Sequence, residues 1–463
     1  MKKSMGMMVA VAVVAVAGVA AVVIGNSNTA VGQDSTMVKP SSIQVAAIET
    51  AYGSELWKEV SAAFTAQTGI EVDLITDKKL EDVIGASMKA GNYPDVVHLA
   101  LGRADALTET FIKSNLLADL TDVLQMTVPG EQAKVADKLE SGFTESTLTN
   151  PYGDGKTYLA PMFYGPCGLF YNAGLLEQKG WTLPTTWDEM WELGDLAAKD
   201  GIALFAYPNA GYFDTLFYTL LYETGGPDFF AKATSYTEGI WDTPEAQQTF
   251  DIIAKLADYT EKSVPSNANP DNFFKNQQLI LDNKAIFMPN GTWVVDEMKD
   301  APRAEGFRWG FTALPAVTKG GDSYSYTWFE QLWIPAEAKN IAQGKQFVAY
   351  MYSDAAAAIF AKHGAFQPIK GIADKLEGDN KLFYQIYDHG AKAAMGNFAT
   401  TNPVEGVNFA DTVFETVNSL VSGDKTKEEW IAAIKRDSEL LRKALKKISQ
   451  NRVNYGKSKP RRF

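Results

Sequence analysis

Between residues 43 and 99, hydrophobic positions follow a strand-like period and a helix-like period in turn. In order, the pattern predicts a strand at 43–48, a helix with Leu56, Val60 and Phe64 on one face and its end at Gly69, a strand at 70–75, a helix at 79–90 and a strand at 96–99. This β-α-β-α-β order is typical of an α/β lobe with a mainly parallel sheet. Because ligands of such sheets bind beyond the carboxyl ends of the strands, residues 50–52 and 100–105 form the candidate binding edge.

A second informative pattern covers residues 153–190. It predicts two buried strands, at 157–161 and 168–172, around a turn, and then a helix that begins with a capping box of Thr186 and Glu189. The glycine and aromatic residues of the turn suit a chain that crosses between two lobes closing on a ligand. Taken alone, the segment fits an ordinary loop between strands better, because such residues are common in loops.

Segment 153–190 also resembles the hinge-crossing region of bacterial extracellular solute-binding proteins of the maltose-binding type (family 1), which feed ATP-driven carbohydrate importers. The resemblance extends along nearly the whole chain, in the family's order and spacing. It includes WKEVSAAFTAQTGIEVDLI (57–75), ASMKAGNYPDVVHL (86–99), MPNGTWVVDEM (288–298), WGFTALPA (309–316) and AKNIAQGKQFVAYMYSD (338–354). Each segment is moderately specific, and their joint occurrence predicts membership of this family.

The resemblance implies an α/β, two-lobed, periplasmic-binding-protein-like fold of the class II type, with a ligand cleft between the lobes and several hinge crossings. It implies a first segment of lobe 1 at 41–164, a first segment of lobe 2 at 165–309, a return to lobe 1 at 310–352 and C-terminal helices of lobe 2 at 353–446. Residues 447–463 are basic and lack apolar periodicity, which predicts an irregular, disordered tail.

Residues 1–32 have the pattern of an export signal. Lys2 and Lys3 precede an uncharged, Ala/Val-rich run at 7–24, which small and polar residues follow. The run is also close to the length that spans a bilayer, so a retained membrane anchor stays open as an alternative. We therefore predict an exported protein, located outside the cell, at its surface or in the periplasm.

Composition argues against several kinds of partner and chemistry. The formal net charge is -13, and basic residues concentrate at the two ends, so the remaining body is more acidic still and repels nucleic acid and anionic membranes. Cys167 is the only cysteine, which rules out an intramolecular disulfide, and its apolar neighbours predict a buried, unreactive thiol. His98, His363 and His389 are dispersed without the spacing of metal ligands, so we expect no metal and no cofactor.

Sugars present apolar C–H faces that pack on aromatic rings and hydroxyl rims that need hydrogen-bonding groups. The resemblance implies ligand contacts from the aromatic pair Tyr212 and Phe213 with neighbouring Asn209 and Asp214, from a stacking Trp293 and from Arg103 after the PDVV strand. The further candidates are Tyr52 and Asp105 at strand ends, Tyr164 at the predicted crossing, Trp328 and Glu330 in YTWFEQLWIP, and Phe366 with Gln367. For each lone aromatic residue, packing in the core is the alternative interpretation.

The segment YTWFEQLWIP predicts a strand with two different faces. Alternation places Trp328, Glu330 and Leu332 on one face and Phe329, Gln331 and Trp333 on the other. Only one face can look into a cleft, and we expect it to be the face of Trp328 and Glu330.

Departures from the maltose-binding pattern bear on the ligand. Where those relatives carry an acidic and a basic residue, this chain has Ala51 and Tyr52. Where they carry a tryptophan and an aspartate, it has Leu99 and Gly102. Where they carry a glutamate, it has Ala210. Losing these hydroxyl partners argues against maltose, because unmatched hydroxyls are penalised in a closed site. We expect another mono- or oligosaccharide, with acetamido sugars as a candidate class.

The predicted function is that of a monomeric binding protein, not an enzyme, which closes on a saccharide and delivers it to the permease subunits of an ABC importer. Two alternatives on the same fold stay open: a non-sugar solute such as an amino acid, peptide or polyol, and a sensor that reports its ligand. A glycoside hydrolase is a third alternative, since Asp105, Asp214 and Glu330 offer carboxylates, although no hydrolase motif is present.

Overall fold

The computed structural model describes residues 41–50, 52–101, 103, 106–144, 146, 148–207, 210–269, 271–398, 404 and 406–458. The predicted export segment at 1–32 lies outside these residues. Within the described part of the chain, no helix combines the length and the apolar character that crossing a bilayer requires.

Strands and helices alternate along the chain. The strands are β1 (Ser42–Ile48), β2 (Glu71–Asp77), β3 (Val96–His98), β4 (Ala160–Asn172), β5 (Ala203–Phe205), β6 (Ala285–Gly291), β7 (Trp309–Thr312), β8 (Tyr324–Trp333) and β9 (Lys392–Ala394). The α-helices are α1 (Glu55–Thr68), α2 (Leu80–Lys89), α3 (Leu107–Lys113), α4 (Val135–Lys138), α5 (Ala173–Lys179), α6 (Trp187–Lys199), α7 (Ala210–Thr234), α8 (Pro244–Asp258), α9 (Val264–Asn267), α10 (Phe273–Leu281), α11 (Val294–Glu297), α12 (Ile341–Tyr350), α13 (Asp354–Lys362), α14 (Gly378–Asp388), α15 (Thr416–Ser422) and α16 (Lys427–Ser458).

The predicted parallel arrangement of the first strands is confirmed. Strand β1 pairs in parallel with β2 on one side and with β3 on the other. Helix α1 buries Leu56, Val60 and Phe64 on one face, as their spacing predicts. It ends at Gly69, whose φ of 75° lies in the left-handed region that glycine adopts without strain.

The described strands form one mixed sheet in the order β2-β1-β3-β8-β4-β6-β5, with β7 added to β4 and β9 to β8. Strand β8 is antiparallel to both β3 and β4, and β4 is antiparallel to β6 and β7. Strands β4 and β8 therefore join the half of the sheet built on β1 to the half built on β6. We refer to these halves as lobe 1 and lobe 2, and the lobe boundaries predicted above stay a prediction.

Strand β4 corrects the prediction of two strands around a turn, because it is one strand of 13 residues. Strands β6, β7 and β8, which are distant in sequence, pair with both edges of β4. Their hydrogen bonds satisfy backbone N–H and C=O groups of β4, so no turn is needed to do so. Gly168 permits close pairing, since a Cβ atom there would lie 2.5 Å from the carbonyl oxygen of Thr312. The register with β8 shifts between Pro161 and Tyr164, which places a bulge opposite Glu330.

The predicted start of α6 is confirmed. Thr186 Oγ1 accepts a hydrogen bond from the backbone N–H of Glu189 at 3.3 Å. The Glu189 carboxylate in turn accepts one from the backbone N–H of Thr185 at 2.7 Å. Together these contacts satisfy N–H groups that have no partner inside the helix.

Helix α16 continues to Ser458 and so includes residues 447–458 of the predicted tail. An established helix adds one hydrogen bond for each further residue, so it propagates more easily than it begins. The first proline beyond it is Pro460, and residues 459–463 lie outside the described part of the chain.

Candidate ligand-binding site

Strand β8 presents its side chains alternately to two faces. Trp328 is 48% exposed, and the Glu330 side chain is 26% exposed. On the other face, Phe329, Gln331 and Trp333 are buried. Trp328 and Glu330 are therefore the more exposed side chains of the face predicted to be open, whereas Leu332 of the same face is fully buried.

A cavity of about 330 Å³, which we call the Glu330 cavity, lies on this face. Residues that follow β1 and β3 line it, as expected for a ligand site beyond the carboxyl ends of parallel strands. Aromatic side chains form much of its wall, and among its described lining residues only Glu330 is charged. The lining residues are Tyr52, Ala100, Leu101, Phe163, Tyr164, Gly165, Trp328, Phe329, Glu330, Gly364, Ala365 and Phe366.

The Glu330 carboxylate is held by two partners from lobe 1. Its Oε2 atom accepts a hydrogen bond from the Tyr52 hydroxyl and lies 3.1 Å from Nε2 of the fully buried His98. Burial by itself would raise the pKa of Glu330, but the hydrogen-bonding and charge interactions with His98, the hydrogen bond from Tyr52 and the positive charge of Arg103 outweigh it and lower that pKa. Burial and the neighbouring negative charge raise the pKa of Tyr52. Glu330 is therefore an anion and Tyr52 a neutral donor at neutral pH.

Arg103, a predicted ligand contact, is engaged by Glu81 of α2. Both Nε and Nη2 of Arg103 donate to the Glu81 carboxylate, and the Nη2 bond is 3.2 Å long. The Glu81 side chain is only 4% exposed, so it fixes the guanidinium group from inside lobe 1. Arg103 does not line the Glu330 cavity, and its effect there comes through its charge.

A second cavity, of about 570 Å³, shares Leu101, Trp328 and Phe329 with the first. We call it the Asp214 cavity. Lobe 1 contributes Leu101, and α7, α16 and the segment before α15 contribute most of the rest. The lining residues are Leu101, Leu148, Asp214, Tyr218, Tyr236, Tyr326, Thr327, Trp328, Phe329, Gln331, Asn397, Phe398, Val407, Asn408, Phe409, Ala410, Phe414 and Leu441.

Asp214 brings an unusual carboxyl group to this cavity. Among the described residues, its Oδ1 atom is buried without a hydrogen-bond partner. Burial raises the pKa of Asp214 to about 7, although backbone hydrogen bonds from Thr215 and from Asp214 itself act in the opposite direction. Near neutral pH this carboxyl can therefore donate or accept a hydrogen bond to a ligand.

Tyr212 and Trp293 form an aromatic pair on lobe 2, with ring centroids 5.8 Å apart and planes at 34°. Gly291 leaves the space for the Trp293 ring, which would overlap a Cβ atom at that position. The Tyr212 hydroxyl donates to Glu297 Oε1 at 3.3 Å, and burial together with the charge of Glu297 raises the pKa of Tyr212 to about 12. Neither ring lines one of the two cavities.

The position of this pair relative to the Glu330 cavity follows from the residue before Trp293. Thr292 Oγ1 would lie 3.9 Å from a Cβ atom on Gly165, which lines that cavity. The aromatic pair of lobe 2 is thus close to the point where β4 passes between the lobes.

Two further predicted contacts, Phe213 and Gln367, also lie outside both cavities. Phe213 is 1% exposed and packs on Tyr207 at 5.3 Å between ring centroids, because successive residues of a helix point in different directions. Gln367 is fully buried, and its amide donates to the backbone carbonyl of Met351. Both residues stabilise the structure behind the site, and we leave them out of the proposed set of contacts.

Tyr164 and Phe366 line the Glu330 cavity while packing inward. The Tyr164 ring contacts Phe143 and Tyr384, with centroids at 5.0 and 4.8 Å, and Phe366 also packs on Tyr384. Their side chains support the cavity wall. The predicted contacts Asp105 and Asn209 lie outside the described residues.

Sequence reasoning missed much of the Asp214 cavity. The segment 395–410 supplies Asn397, Phe398, Asn408 and Phe409, and α7 supplies Tyr218. This segment, MGNFATTNPVEGVNFA, shows neither helical nor strand periodicity. Its mixture of asparagine, phenylalanine and glycine without periodicity was the available signal, since this composition is typical of loops, where binding residues are frequent.

Other features of the structure do not point to catalysis. A larger cavity of about 1010 Å³ lies between α6, β5 and α8 and shares no lining residue with the two cavities described above. Cys167 is 1% exposed, and burial raises the pKa of its thiol well above the ordinary value, so it lacks thiolate character. Within the described residues, no three His, Cys, Asp or Glu side chains are grouped to hold a metal ion.

A family model described as bacterial extracellular solute-binding protein matches residues 46–358. The chain belongs to this family. The predicted family and the two-lobed α/β fold are thereby confirmed, and the family and the relatives below are binding proteins. This solute-binding protein is similar to the diacetylchitobiose-binding protein NgcE of Streptomyces coelicolor, with 26% identity over 337 residues, 70% of this chain and 68% of the relative. It is also similar to a galactooligosaccharide-binding protein of Bacillus subtilis, with 22% identity over 308 residues, 64% of this chain and 66% of the relative.

Solved structures agree on the fold of this solute-binding protein. The solute receptor AcbH, described as having an exclusive preference for β-D-galactopyranose, superposes with a TM-score of 0.66 at 18% identity and covers 88% of this chain and 100% of its own. The sugar-binding protein MalE from Xanthomonas citri superposes with a TM-score of 0.61 at 17% identity and covers 89% of this chain and 100% of its own.

Proposed function

We propose that this solute-binding protein binds a saccharide of at least two units and delivers it to the permease subunits of an ABC importer. The observation that carries the proposal is the pair of aromatic-lined cavities that meet at the half-exposed Trp328. An exposed indole face between two cavities suits the apolar C–H face of a sugar ring, with further units on either side. Glu330 and Asp214 then supply one carboxyl group to each cavity for hydroxyl or amide donors.

The ligand class that we favour contains acetamido sugars rather than maltose. The Asp214 cavity offers two asparagine side chains, Asn397 and Asn408, beside Tyr218 and Phe398. Amide and aromatic groups together suit an acetamido substituent, which has one donor, one acceptor and a methyl group. The similarity to NgcE, which is named for binding diacetylchitobiose, supports this choice.

Lobe closure on the ligand is part of the proposal. Ligand first meets Tyr212 and Trp293 of lobe 2, and movement of the lobes about β4 and β8 then adds Tyr52 and Glu330 of lobe 1. A ligand favours the closed form only through contacts that it makes in that form alone, so the lobe 1 residues control closure. The closed, monomeric protein outside the membrane is the form that the permease recognises.

Binding without catalysis is part of the proposal. Glycoside hydrolases use two carboxyl groups that flank one bond. Here Asp214 and Glu330 line different cavities, which share only Leu101, Trp328 and Phe329. Glu330 is moreover committed to Tyr52 and His98 through Oε2.

A thermal-shift screen tests the proposal. Saccharides, including acetamido sugars and maltose, are compared with peptides and polyols, and a bound ligand raises the melting temperature through mass action. We expect a shift with an acetamido oligosaccharide series and no new product after long incubation. No shift with any saccharide would contradict sugar binding, and release of smaller sugars would contradict the absence of catalysis.

A further inference from the structure

The polar side chains around the Glu330 cavity act mainly as acceptors. The Tyr52 proton is committed to Glu330, which leaves the phenol oxygen as an acceptor. The backbone N–H of Leu101 is likewise committed, to Gln331 Oε1 at 3.1 Å. A ligand that enters this cavity therefore meets the acceptors Glu330 and Tyr52. The side-chain donors of the lining residues are the indole N–H of Trp328 and the Tyr164 hydroxyl, which is buried without a hydrogen-bond partner among the described residues.

Glu330 itself has one carboxylate oxygen available. Both Tyr52 and His98 contact Oε2. Among the described residues, no hydrogen bond or ion pair joins Oε1, and the side chain remains 26% exposed. A ligand group can thus reach Oε1 without displacing an existing partner.

Arg103 does not neutralise the negative charge of Glu330 by direct contact. That guanidinium group is held by Glu81, which compensates its charge. His98 contacts only Oε2, with Nε2 at 3.1 Å, and leaves Oε1 without a contact among the described residues. The cavity therefore combines an anionic acceptor with a wall that includes Tyr52, Phe163 and Trp328.

We propose that the Glu330 cavity selects a sugar unit that carries a primary ammonium group, a 2-amino-2-deoxy sugar with a free amine, over the same unit with an acetamido or hydroxyl group. An ammonium group has three donors and no acceptor, which matches the free Oε1 of Glu330 and the phenol oxygen of Tyr52. Its charge is attracted both by the carboxylate and by aromatic faces. An acetamido group would turn a carbonyl acceptor toward these acceptors, and a hydroxyl group offers only a neutral hydrogen bond.

This inference rests on the proposed function, and it extends that function to one unit of the ligand. The acetamido preference proposed above concerns the Asp214 cavity, where Asn397 accepts from Tyr326 through Oδ1 and keeps its amide N–H groups as donors, and Asp214 Oδ1 has no hydrogen-bond partner among the described residues. A partly deacetylated oligosaccharide satisfies both cavities.

The test uses three β-1,4-linked disaccharides of identical backbone that carry ammonium, acetamido or hydroxyl groups at C2. Calorimetry at a pH where the amine is protonated should show the ammonium form binding about tenfold more tightly than the hydroxyl form. The advantage should shrink as salt rises, because the pairing is electrostatic. Glu330→Gln should remove the advantage, so that the variant binds the ammonium and hydroxyl forms with affinities within about threefold of each other.

Glu177→Gln is the matched control, because it makes the same charge change on a side chain that is 75% exposed and paired with Arg308. It should keep the full ammonium advantage. The inference is overturned if the wild-type protein binds the three disaccharides with equal affinity, or if Glu330→Gln keeps the tighter binding of the ammonium form. Either result leaves the proposed function standing. If Glu330→Gln does not fold, the salt dependence of the wild-type protein decides, and a flat dependence overturns the inference. No binding of any of the three refutes the proposed function for this series and the inference with it.

Discussion

Asp214→Asn tests the electrostatics of the second cavity through protein stability. Burial raises the pKa of the Asp214 carboxyl from its ordinary value of 3.8 to about 7. The folded protein therefore keeps a proton over a pH range in which the unfolded chain has lost it, so this group lowers stability as pH rises from about 4 to about 7. A shift of about three pKa units corresponds to about 4 kcal/mol. Because Asp214 is partly exposed to the cavity, we expect screening by solvent to reduce this contribution to the free energy of unfolding to about 2 kcal/mol.

The assay is urea unfolding of the wild type and of Asp214→Asn at several values between pH 4 and pH 8. The asparagine variant cannot titrate, so its free energy of unfolding relative to the wild type should rise by about 2 kcal/mol across this range. Glu140, whose pKa burial also raises to about 7, titrates in both proteins and cancels in the difference.

Glu140→Gln is the control for the Asp214 experiment, because it removes a second buried carboxyl in the same range at a site outside both cavities. The two pH-dependent differences should add in the double variant, since the groups share no described contact. A difference between wild type and Asp214→Asn that does not change with pH would refute the reasoning, because it would mean that Asp214 is not desolvated.

Three further predictions concern the aromatic contacts and the crossing strand. Gly291→Ala should weaken saccharide binding about three- to tenfold in calorimetry, because the Trp293 ring must move off the residue, and unchanged affinity would remove Trp293 from the site. Trp328→Ala should cost about 1–3 kcal/mol of binding free energy with an unchanged melting temperature, since the ring is 48% exposed and contributes to ligand contact more than to the core. Gly168→Ala should lower the free energy of unfolding in urea by about 1–3 kcal/mol, because its Cβ would lie 2.5 Å from the carbonyl oxygen of Thr312. A urea midpoint equal to that of the wild type would mean that β4 and β7 separate easily at this position.

Local patterns predicted the elements that depend on neighbouring residues. The alternation of strand and helix from β1 to β3, the end of α1 at Gly69 and the cap of α6 at Thr186 all follow from residues a few positions apart. Alternation along β8 likewise separated the open face of Trp328 and Glu330 from its buried face. The family resemblance, carried by segments spread over the chain, supplied the two-lobed fold that periodicity could not show.

Contacts between distant residues decided the site. Tyr52 and Glu330 meet although 278 positions separate them, and Arg103 is held by Glu81, 22 positions earlier. The continuity of β4 also depends on partners from β6, β7 and β8.

The sequence by itself therefore determined the fold class, the local elements and the kinds of side chain available to a ligand. The tertiary structure decided which of these side chains face one another, which charges are compensated and where the two cavities meet. The physical reason is that backbone periodicity and capping act over a single turn or strand, whereas burial, ion pairing and cavity shape depend on residues that only folding brings together.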